Sequence, residues 1–394
     1  MKLRHGPRLL VSALTLAGAL GAALVLAVHH VPQAGPMVAN SLRAVIGIRA
    51  VARLEEHVAS IEDNIMRLRW RGEPPRSLEA MSPSISPVEA PAWEPVSLPR
   101  PATLPPPRPV FTPAPVLPPF PEVAAEGDGR WVAVPDPERH WSELFLVAMP
   151  TSAIRLVVVP GTAEPSSENP AAETLPHRGL IPADQQGQLL AAFNGGFRAE
   201  HGQHGMLVEG VLLLPPRPDM CTIAGYADGT LQIGTYTQLL AQARRPIWFR
   251  QAPRCMLEHG ALHPGLRDTD ARGWGSTLEG ETVIRRSALA LSQEGDVLYM
   301  AVTNSTTARA LALGMRAVGA WNVAQLDVNE SFPKFLLFPR DAAGIRHATS
   351  LFSGFLFERH EMLEEPAERD FFYVARRQST EPLEAAGALA RRAN

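Results

Sequence analysis

One short polar stretch of the chain combines a carboxamide with a glycine pair. It is residues 192–197, which read AFNGGF, and an apolar run typical of a strand precedes it. Gly195 and Gly196 allow positive φ or a close approach of the backbone to another group. Asn194 offers hydrogen bonds to ligand hydroxyl groups, although turn formation is an equally good interpretation of an asparagine there.

A second polar stretch, residues 325–331 with the sequence QLDVNES, also follows an apolar run. Asp327 is the candidate central carboxylate, and it could act as nucleophile, base or electrostatic stabiliser. The alternative is an aspartate that caps a turn at a strand end. Glu330 is the candidate second carboxylate, or else a solvated loop residue, and Asn329 could bind ligand hydroxyls or form a turn. Polar groups at strand ends predict a binding site, because loops at strand ends form sites.

Two more side chains could complete such a site. Arg286 is the candidate for an anionic ligand, because a guanidinium matches a phosphate bidentately. Arg285 would point to the opposite face of a strand, so only one of the two can reach the site. A salt-bridging surface arginine is the alternative for Arg286. Trp274 could stack on a sugar ring, or it could belong to the core.

A metal site is the remaining chemical possibility. His201 and His204 lie on either side of a short segment after the glycine pair, where they could bind a divalent metal or transfer a proton near neutral pH. Two histidines three residues apart in a loop do not make a complete ligand set. No cofactor is therefore predicted.

Short β-rich runs separated by turn residues surround these candidates. Residues 206–214, 221–234 and 289–302 each predict a hairpin, with a Glu-Gly or Asp-Gly pair at the turn. Residues 144–149 and 154–159 predict adjacent strands. Residues 304–319 predict a helix with caps at both ends, leading into a strand that delivers Asp327. The pattern predicts an α+β domain with a mostly antiparallel sheet and packed helices.

Taken in order, several of these stretches resemble the phosphodiester glycosidase family over residues 186–340. The Asn194 loop is followed by GMLVEG at 205–210 and YADGT at 226–230, then by RSALAL at 286–291 and GAWNVAQLD at 319–327. The resemblance implies a hydrolase that cleaves the bond between a sugar and a phosphodiester, with glycan or sugar phosphate as substrate. Because Asp327 lies at a strand end and Arg286 opens a hairpin that would pair nearby, we expect both side chains to face one cleft beside the Asn194 loop.

The segment after Asp327 departs from the common family pattern. Many members follow the leucine–aspartate pair with three glycines and a serine, whereas this chain continues VNES and is closer to a branch with aspartate-x-asparagine. This loop is less able to wrap backbone amides around a phosphate. A catalytically inactive glycan-binding or structural envelope module of the same fold is therefore the alternative function. A scaffold whose globular head binds protein is a third hypothesis.

The first third of the chain predicts attachment to a membrane. Residues 1–8 form a basic flank, and 9–28 form an uncharged apolar run long enough to be a transmembrane signal-anchor. The basic flank places the downstream domain outside the cytoplasm, in the periplasm or at the cell surface. A cleaved signal peptide is the alternative.

Two further segments connect this anchor to the folded domain. Residues 29–72 predict either an amphipathic helix on a membrane or partner, or a short coiled coil that joins copies through residues 51–68. Residues 73–122 contain 17 of the 38 prolines between Pro74 and Pro121, which predicts a disordered linker. The phosphodiester-glycosidase-like domain then spans 123–376, and 377–394 form a tail.

Charge and cysteine content limit the possible partners and compartment. The net charge is −3, and the folded part has no basic stripe, which argues against nucleic acid as a partner. Cys221 and Cys255 are the two cysteines, and both lie in the domain predicted to be exported. A disulfide is chemically allowed there, and two buried free thiols are the alternative.

Overall fold

The structure is a computed structural model that describes residues 34–72, 114–116, 129–133, 136, 139, 141–242, 244–266, 273–274, 282–329, 332–340, 344–350 and 356–377. Outside these ranges lie the predicted basic flank (1–8), the transmembrane anchor (9–28), most of the linker (73–122) and the part of the tail (377–394) that follows residue 377. Glu330 also lies outside them. Among the residues described, none of the helices is both long and apolar enough to span a bilayer.

Short strands make up most of the described domain. Their bounds are β1 Ala114–Val116, β2 Gly129–Ala133, β3 Leu144–Pro150, β4 Ile154–Val159, β5 Leu189–Asn194, β6 Met206–Val208, β7 Val211–Leu214, β8 Cys221–Gly225, β9 Leu231–Thr235, β10 Trp248–Ala252, β11 Leu257–Glu258, β12 Ala261–Leu262, β13 Arg286–Leu291, β14 Val297–Thr303, β15 Asn322–Val328, β16 Phe335–Leu337, β17 Thr349–Ser350 and β18 Phe371–Arg376. The helices are α1 Ala34–Ile46, α2 Ile48–Arg69, α3 Tyr236–Leu240 and α4 Ala308–Ala317.

The strands form three antiparallel sheets. The largest has the order β1-β2-β3-β14-β13-β15-β11-β12, and the two smaller sheets have the orders β7-β6-β10-β8-β9 and β17-β16-β5-β18-β4. The predicted hairpins are all present, as β6–β7, β8–β9 and β13–β14. Mostly antiparallel sheets with few helices confirm the α+β class.

The main hydrophobic core lies between the eight-stranded sheet and the two smaller ones. It contains inward-facing side chains from all three sheets, among them Phe193, Leu289, Leu326 and Phe372. The opposite face of the eight-stranded sheet is covered by α4, whose apolar face packs against it. Residues 304–306 were expected to cap this helix, but the cap is Thr307, whose side chain accepts a hydrogen bond from the Ala310 amide.

Two expectations about neighbouring segments are wrong. β3 and β4 are consecutive in sequence but lie in different sheets, because β3 pairs with β14 and β4 pairs with β18. The segment Ala114–Val116, which falls within the predicted disordered linker, forms strand β1 at the edge of the large sheet. Pro115 is compatible with that position, since an edge strand need not donate every amide.

A helical N-terminal segment adjoins this domain. The predicted helix within 29–72 is present as α1 and α2, separated at Gly47, where φ is 84°. Asp63 of α2 binds Arg139 of the folded domain with two contacts, Nε–Oδ1 at 2.8 Å and Nη2–Oδ2 at 3.0 Å. Arg139 also binds Asp136 at 2.7 Å. This ion-pair group fixes α2 against the domain.

The two cysteines are joined in the described domain. Cys221 at the start of β8 forms a disulfide with Cys255, across a sequence separation of 34 residues. Of the two alternatives left open by the sequence, the disulfide is therefore the one present.

Candidate active site

A β-bulge determines where the Asp327 side chain points. On β15, Gln325 faces away from the main core and contacts Arg286, and strict alternation would send Asp327 to the same side. However, Ala288 pairs with Gln325 whereas Arg286 pairs with Val328, so β15 contains one extra residue opposite β13. Bulges of this kind re-aim side chains. The carboxylate of Asp327 consequently points into a cleft.

Asp327 is buried in that cleft and paired with a cation. Its side chain is only 5% exposed, and its Oδ2 lies 2.5 Å from Nη1 of Arg369. Asn329 donates a further hydrogen bond to the same oxygen at 3.3 Å. Burial raises the pKa of Asp327 above the usual range of an aspartate, and the Arg369 guanidinium opposes part of that rise.

Arg369 is held on three sides. Besides the contact with Asp327, its Nη2 donates to the Gly196 carbonyl at 3.2 Å, and its guanidinium carbon lies 4.2 Å from the centre of the Phe332 ring. A cation over an aromatic face is attracted to the ring. The guanidinium is therefore fixed at the cleft wall rather than extended into solvent.

The glycine pair, Gly195 and Gly196, is bound to Asp370, the residue that follows Arg369. The Gly195 amide donates to the Asp370 carbonyl at 2.9 Å, and the Gly196 amide donates to the Asp370 carboxylate at 2.9 Å. A β-carbon on Gly195 would lie 2.1 Å from that carboxylate. Glycine is thus required for close approach to Asp370, and both loop amides are already used within the protein.

Asp370 is itself neutralised by a buried arginine. Arg250 on β10 has a fully buried side chain, and its Nε lies 2.8 Å from the Asp370 carboxylate. Arg250 also donates to the carbonyls of Phe197 at 2.6 Å and His204 at 2.8 Å. This pair fixes the loop that follows β5.

Hydrogen bonds connect the ends of β5, β13 and β15. Asn194 Nδ2 donates to Ser287 Oγ at 2.8 Å, and Ser287 Oγ donates to the Asp327 carbonyl at 3.1 Å. The Asp327 amide donates a hydrogen bond to the Gly195 carbonyl at 3.1 Å. Asn194 also accepts from the Lys334 amide at 3.3 Å, so its carboxamide mainly serves to hold the site together.

A second cation lies on the same cleft. Lys334 binds Glu361 at 2.7 Å, and their side chains are only 12% and 16% exposed. The complete lining comprises Asn194, Gly195, Gly196, Asp327, Phe332, Lys334, Glu361, Met362, Ala367, Glu368, Arg369, Asp370 and Phe371. The cleft therefore presents two carboxylate–cation pairs, at Asp327 and at Glu361.

Several predicted site residues meet in this cleft. Asp327, Asn194, Gly195 and Gly196 line it together, and Asn329 contacts Asp327. Asn329 also accepts a hydrogen bond from the Phe332 amide at 2.6 Å, so it forms a turn as well.

Arg286 and Trp274 do not lie there, which corrects the predicted placement. Arg286 is fully buried on the opposite face of the large sheet, where it donates to the carbonyls of Trp274, Thr282 and Thr306 at 2.6, 2.9 and 3.0 Å. Burial lowers the pKa of Arg286 to about 9. The Trp274 ring packs in the outer core and donates to the Arg254 carbonyl at 2.7 Å. The bulge explains the difference, because it turns Asp327 away from the face that Arg286 shares with Gln325.

The two histidines have different environments. His204 is buried, and desolvation together with the nearby Arg250 lowers its pKa to about 4. His201 is partly exposed, and burial also lowers its pKa. Within the described ranges, no group of three or more histidine, cysteine, aspartate or glutamate side chains is arranged to hold a metal ion.

Arg369, Lys334 and Phe332 are the functional candidates that the sequence analysis missed. A usable signal was present, because Glu368, Arg369 and Asp370 form a charged triplet directly before the apolar strand β18. Lys334 likewise immediately precedes β16. Antiparallel strands bring the start of one strand beside the end of its neighbour, so polar residues directly before a strand can share a site with those that follow one.

Comparisons with known proteins give only distant similarities. No protein-family model and no curated protein matches the sequence. The structure is similar to the catalytic domain of zebrafish N-acetylglucosamine-1-phosphodiester alpha-N-acetylglucosaminidase, auto-inhibited by its pro-peptide. The sequence identity is 17% and the TM-score 0.39, over 68% of this chain and 82% of that one.

A hypothetical protein from Synechocystis shows a comparable similarity. It has 11% identity and a TM-score of 0.40, over 64% of this chain and 63% of that one. TM-scores of this size do not establish a shared fold, so neither similarity carries a conclusion about the activity of this chain.

Proposed function

We propose that this protein is an extracytoplasmic, membrane-anchored hydrolase that cleaves the glycosidic bond of a sugar-1-phosphodiester in envelope or exported glycans. The observation that carries the proposal is the pairing of one buried carboxylate, Asp327, with the cation Arg369 in a cleft that also contains Lys334. The ordered motifs over residues 186–340 point to the same substrate class. A disulfide in the domain supports an oxidising compartment.

The chemistry of the substrate explains why such a site could suffice. Cleavage at the anomeric carbon builds positive charge, which an adjacent carboxylate stabilises or captures. A phosphomonoester leaving group has a second pKa near 6, so it departs as an anion and needs little protonation. Asp327 would face the anomeric carbon, while Arg369 and Lys334 would bind the phosphate. Water supplies a hydroxyl group to the sugar, and its proton is released with the phosphomonoester.

Arg369 takes the role that the sequence analysis assigned to Arg286. A phosphate would compete with Asp327 for the guanidinium, since both are anions. Binding would then weaken the Asp327–Arg369 contact and leave the carboxylate next to the sugar. Phe332, which lines the cleft, replaces Trp274 as the candidate aromatic surface for the sugar ring.

A glycan-binding module without catalysis is the second candidate, and a specific observation favours it. The Gly195 and Gly196 amides and the Asn194 carboxamide all bind protein groups, and both cleft cations are paired with carboxylates. An Asp327 carboxylate that remains neutralised by Arg369 gives little stabilisation to positive charge at an anomeric carbon, whereas a glycan can still bind in the cleft.

Turnover of sugar-1-phosphate methyl diesters in both anomeric forms tests the proposal. We expect wild-type protein to release reducing sugar and methyl phosphate, and Asp327→Asn to lower kcat by about 100-fold or more while sugar-phosphate binding persists. Asp184→Asn, which removes an exposed carboxylate outside the cleft, is the matched control and should retain wild-type turnover.

Hydrolysis in ¹⁸O-labelled water identifies the bond that breaks. Label in the sugar supports cleavage at the anomeric carbon, whereas label in the phosphate would mean a phosphodiesterase and would overturn the proposal. Sugar-phosphate binding without turnover of any diester would favour the binding module.

A further inference from the structure

Helix α2 carries an exposed apolar stripe that no part of the described domain covers. Its residues Leu54, Val58, Ile61, Ile65 and Leu68 are 49%, 47%, 58%, 56% and 70% exposed. Large aliphatic side chains contiguous on one helix face mark an interaction surface, because single exposed residues are common but a continuous row is not.

The spacing of this stripe is that of a coiled coil. Successive members are separated by alternating steps of four and three residues, which places Val58 and Ile65 at heptad position a, and Leu54, Ile61 and Leu68 at position d. β-branched residues at a with leucine at d favour two parallel strands. Both a positions are β-branched, and two of the three d positions are leucine.

Contacts with the folded domain leave the stripe facing outward. Asp63 occupies heptad position f, on the helix side opposite a and d, and it is the residue that binds Arg139. The domain therefore holds α2 by its polar face. Because the helix is already positioned, a second helix that packs on the stripe has less conformational entropy to lose.

The residues beside the stripe place no like charges opposite each other when two copies of α2 pair in parallel orientation. In a parallel pair, position g of one helix lies near position e of the other in the next heptad, so His57 approaches Glu62 and Asn64 approaches Arg69. An antiparallel pair would instead bring Glu55 of one copy near Glu62 of the other, and these like charges repel.

The same charges disfavour a lipid surface. Helix α2 contains four arginines and four acidic residues, and the acidic residues occupy its middle turns, so its net charge is zero with histidine neutral. Interfacial helices that bind anionic lipid carry an excess of basic residues on the polar face. We propose that a second copy of this chain covers the stripe, forming a parallel two-stranded coiled coil through residues 54–68. The proposal does not depend on the catalytic one.

Disulfide trapping in the full-length protein tests the pairing and its direction. Leu54→Cys and Leu68→Cys place single thiols at opposite ends of the stripe, and Ser60→Cys places one at an exposed position beside it. In a parallel coil each d residue meets its own counterpart. On mild oxidation we expect Leu54→Cys and Leu68→Cys each to give covalent dimer at least five times faster than Ser60→Cys.

Other cross-linking patterns contradict the proposal. Dimer that forms only when the Leu54→Cys and Leu68→Cys proteins are mixed would show an antiparallel pair. Equal rates at all three positions would show random collision. Thiols that do not cross-link but become protected from maleimide by phosphatidylglycerol vesicles would show that the stripe binds lipid.

Molar mass in solution gives an independent measurement. Light scattering of wild-type protein should give twice the mass of one chain, after correction for bound detergent. The double variant Ile61→Glu/Ile65→Glu should give the mass of a single chain. Because both side chains are exposed, these substitutions leave the folding of the domain intact. A wild-type protein with the mass of one chain would refute the dimer.

Discussion

Replacing Arg369 by glutamine tests its assignment as the phosphate-binding residue. A guanidinium has five N–H donors, and the contacts with Asp327 and Gly196 use two of them. Loss of one hydrogen bond to a charged group costs about 1.5 to 3 kcal/mol. Since 1.4 kcal/mol is a factor of ten in affinity, Arg369→Gln should weaken binding of a sugar-1-phosphate by about 10- to 150-fold.

The comparison with an uncharged ligand makes this test specific. Calorimetric Kd values are measured for the sugar-1-phosphate and for the corresponding free sugar. The free sugar should bind Arg369→Gln nearly as well as wild type, because it has no group for the guanidinium. Arg309→Gln, an exposed replacement on α4, is the matched control. Equal losses for both ligands would mean that Arg369 only maintains the shape of the cleft, and the phosphate assignment would be refuted.

The same variant has a pH signature if the protein is an enzyme. Burial raises the pKa of Asp327, and Arg369 opposes that rise, so removing the guanidinium raises the pKa further. Activity requires the ionised carboxylate and is lost as the pH falls through this pKa. The acid limb of kcat should therefore move to higher pH in Arg369→Gln and stay unchanged in Arg309→Gln. An acid limb that moves to lower pH, or does not move, would show that the ionisation of Asp327 does not control turnover.

Two further predictions concern stability. Arg286→Gln should lower the free energy of unfolding by about 3 kcal/mol or more, because the buried carbonyls of Trp274 and Thr282 lose their donor. The preference of the cleft for phosphorylated over free sugar should not change. Urea unfolding and the two Kd values check this, and a selective loss of phosphate affinity would restore Arg286 as a ligand-binding residue. Reduction of the Cys221–Cys255 disulfide should lower the free energy of unfolding by about 4 kcal/mol, because the unfolded chain gains entropy when a link across 34 residues is removed. Urea unfolding with and without reductant measures this loss. Unchanged stability would mean that the unfolded chain is already constrained in this segment.

Local turn chemistry explains why the hairpins were predictable. Gly210, Gly229 and Gly295 have φ values of 79°, 80° and 75°, in the left-handed region that glycine favours. Each glycine lies between two apolar runs, so one short stretch of sequence contains both strands and the turn that joins them. Helix α4 was predictable for the same reason, since its apolar face lies within one short stretch of sequence, although its cap is Thr307 and not residues 304–306.

Sheet membership was not predictable, because no local signal encodes it. Only residues 151–153 connect β3 to β4, yet the pairing partners of these strands are β14 and β18, which lie far along the chain. Their apolar, β-branched sequences are equally suited to any buried sheet. Which sheet each strand joins depends on long-range pairing.

The cleft was predicted only from one side. Asp327 and the Asn194 loop end their strands in polar residues, and that pattern identified them. Arg369 contacts Gly196 in the same cleft, although the two residues are 173 positions apart in the sequence. The bulge in β15, which moves Asp327 away from Arg286, depends on the register between two strands. A pattern that assumes regular alternation therefore pairs the carboxylate with the wrong arginine.

Two consecutive residues have different roles in this cleft: Arg369 contributes charge, and Asp370 contributes rigidity. Just before β18 the two neighbouring side chains have different partners: Arg369 binds Asp327 in the cleft, while Asp370 binds the buried Arg250. Asp370 binds the Gly196 amide, and Arg369 binds the Gly196 carbonyl. The structural ion pair thus holds the glycine loop and the segment bearing Arg369 in one position. In the proposed function, the Asp327–Arg369 pair opens for an anionic ligand while Asp370, held by Arg250, still binds the Gly196 amide of the loop.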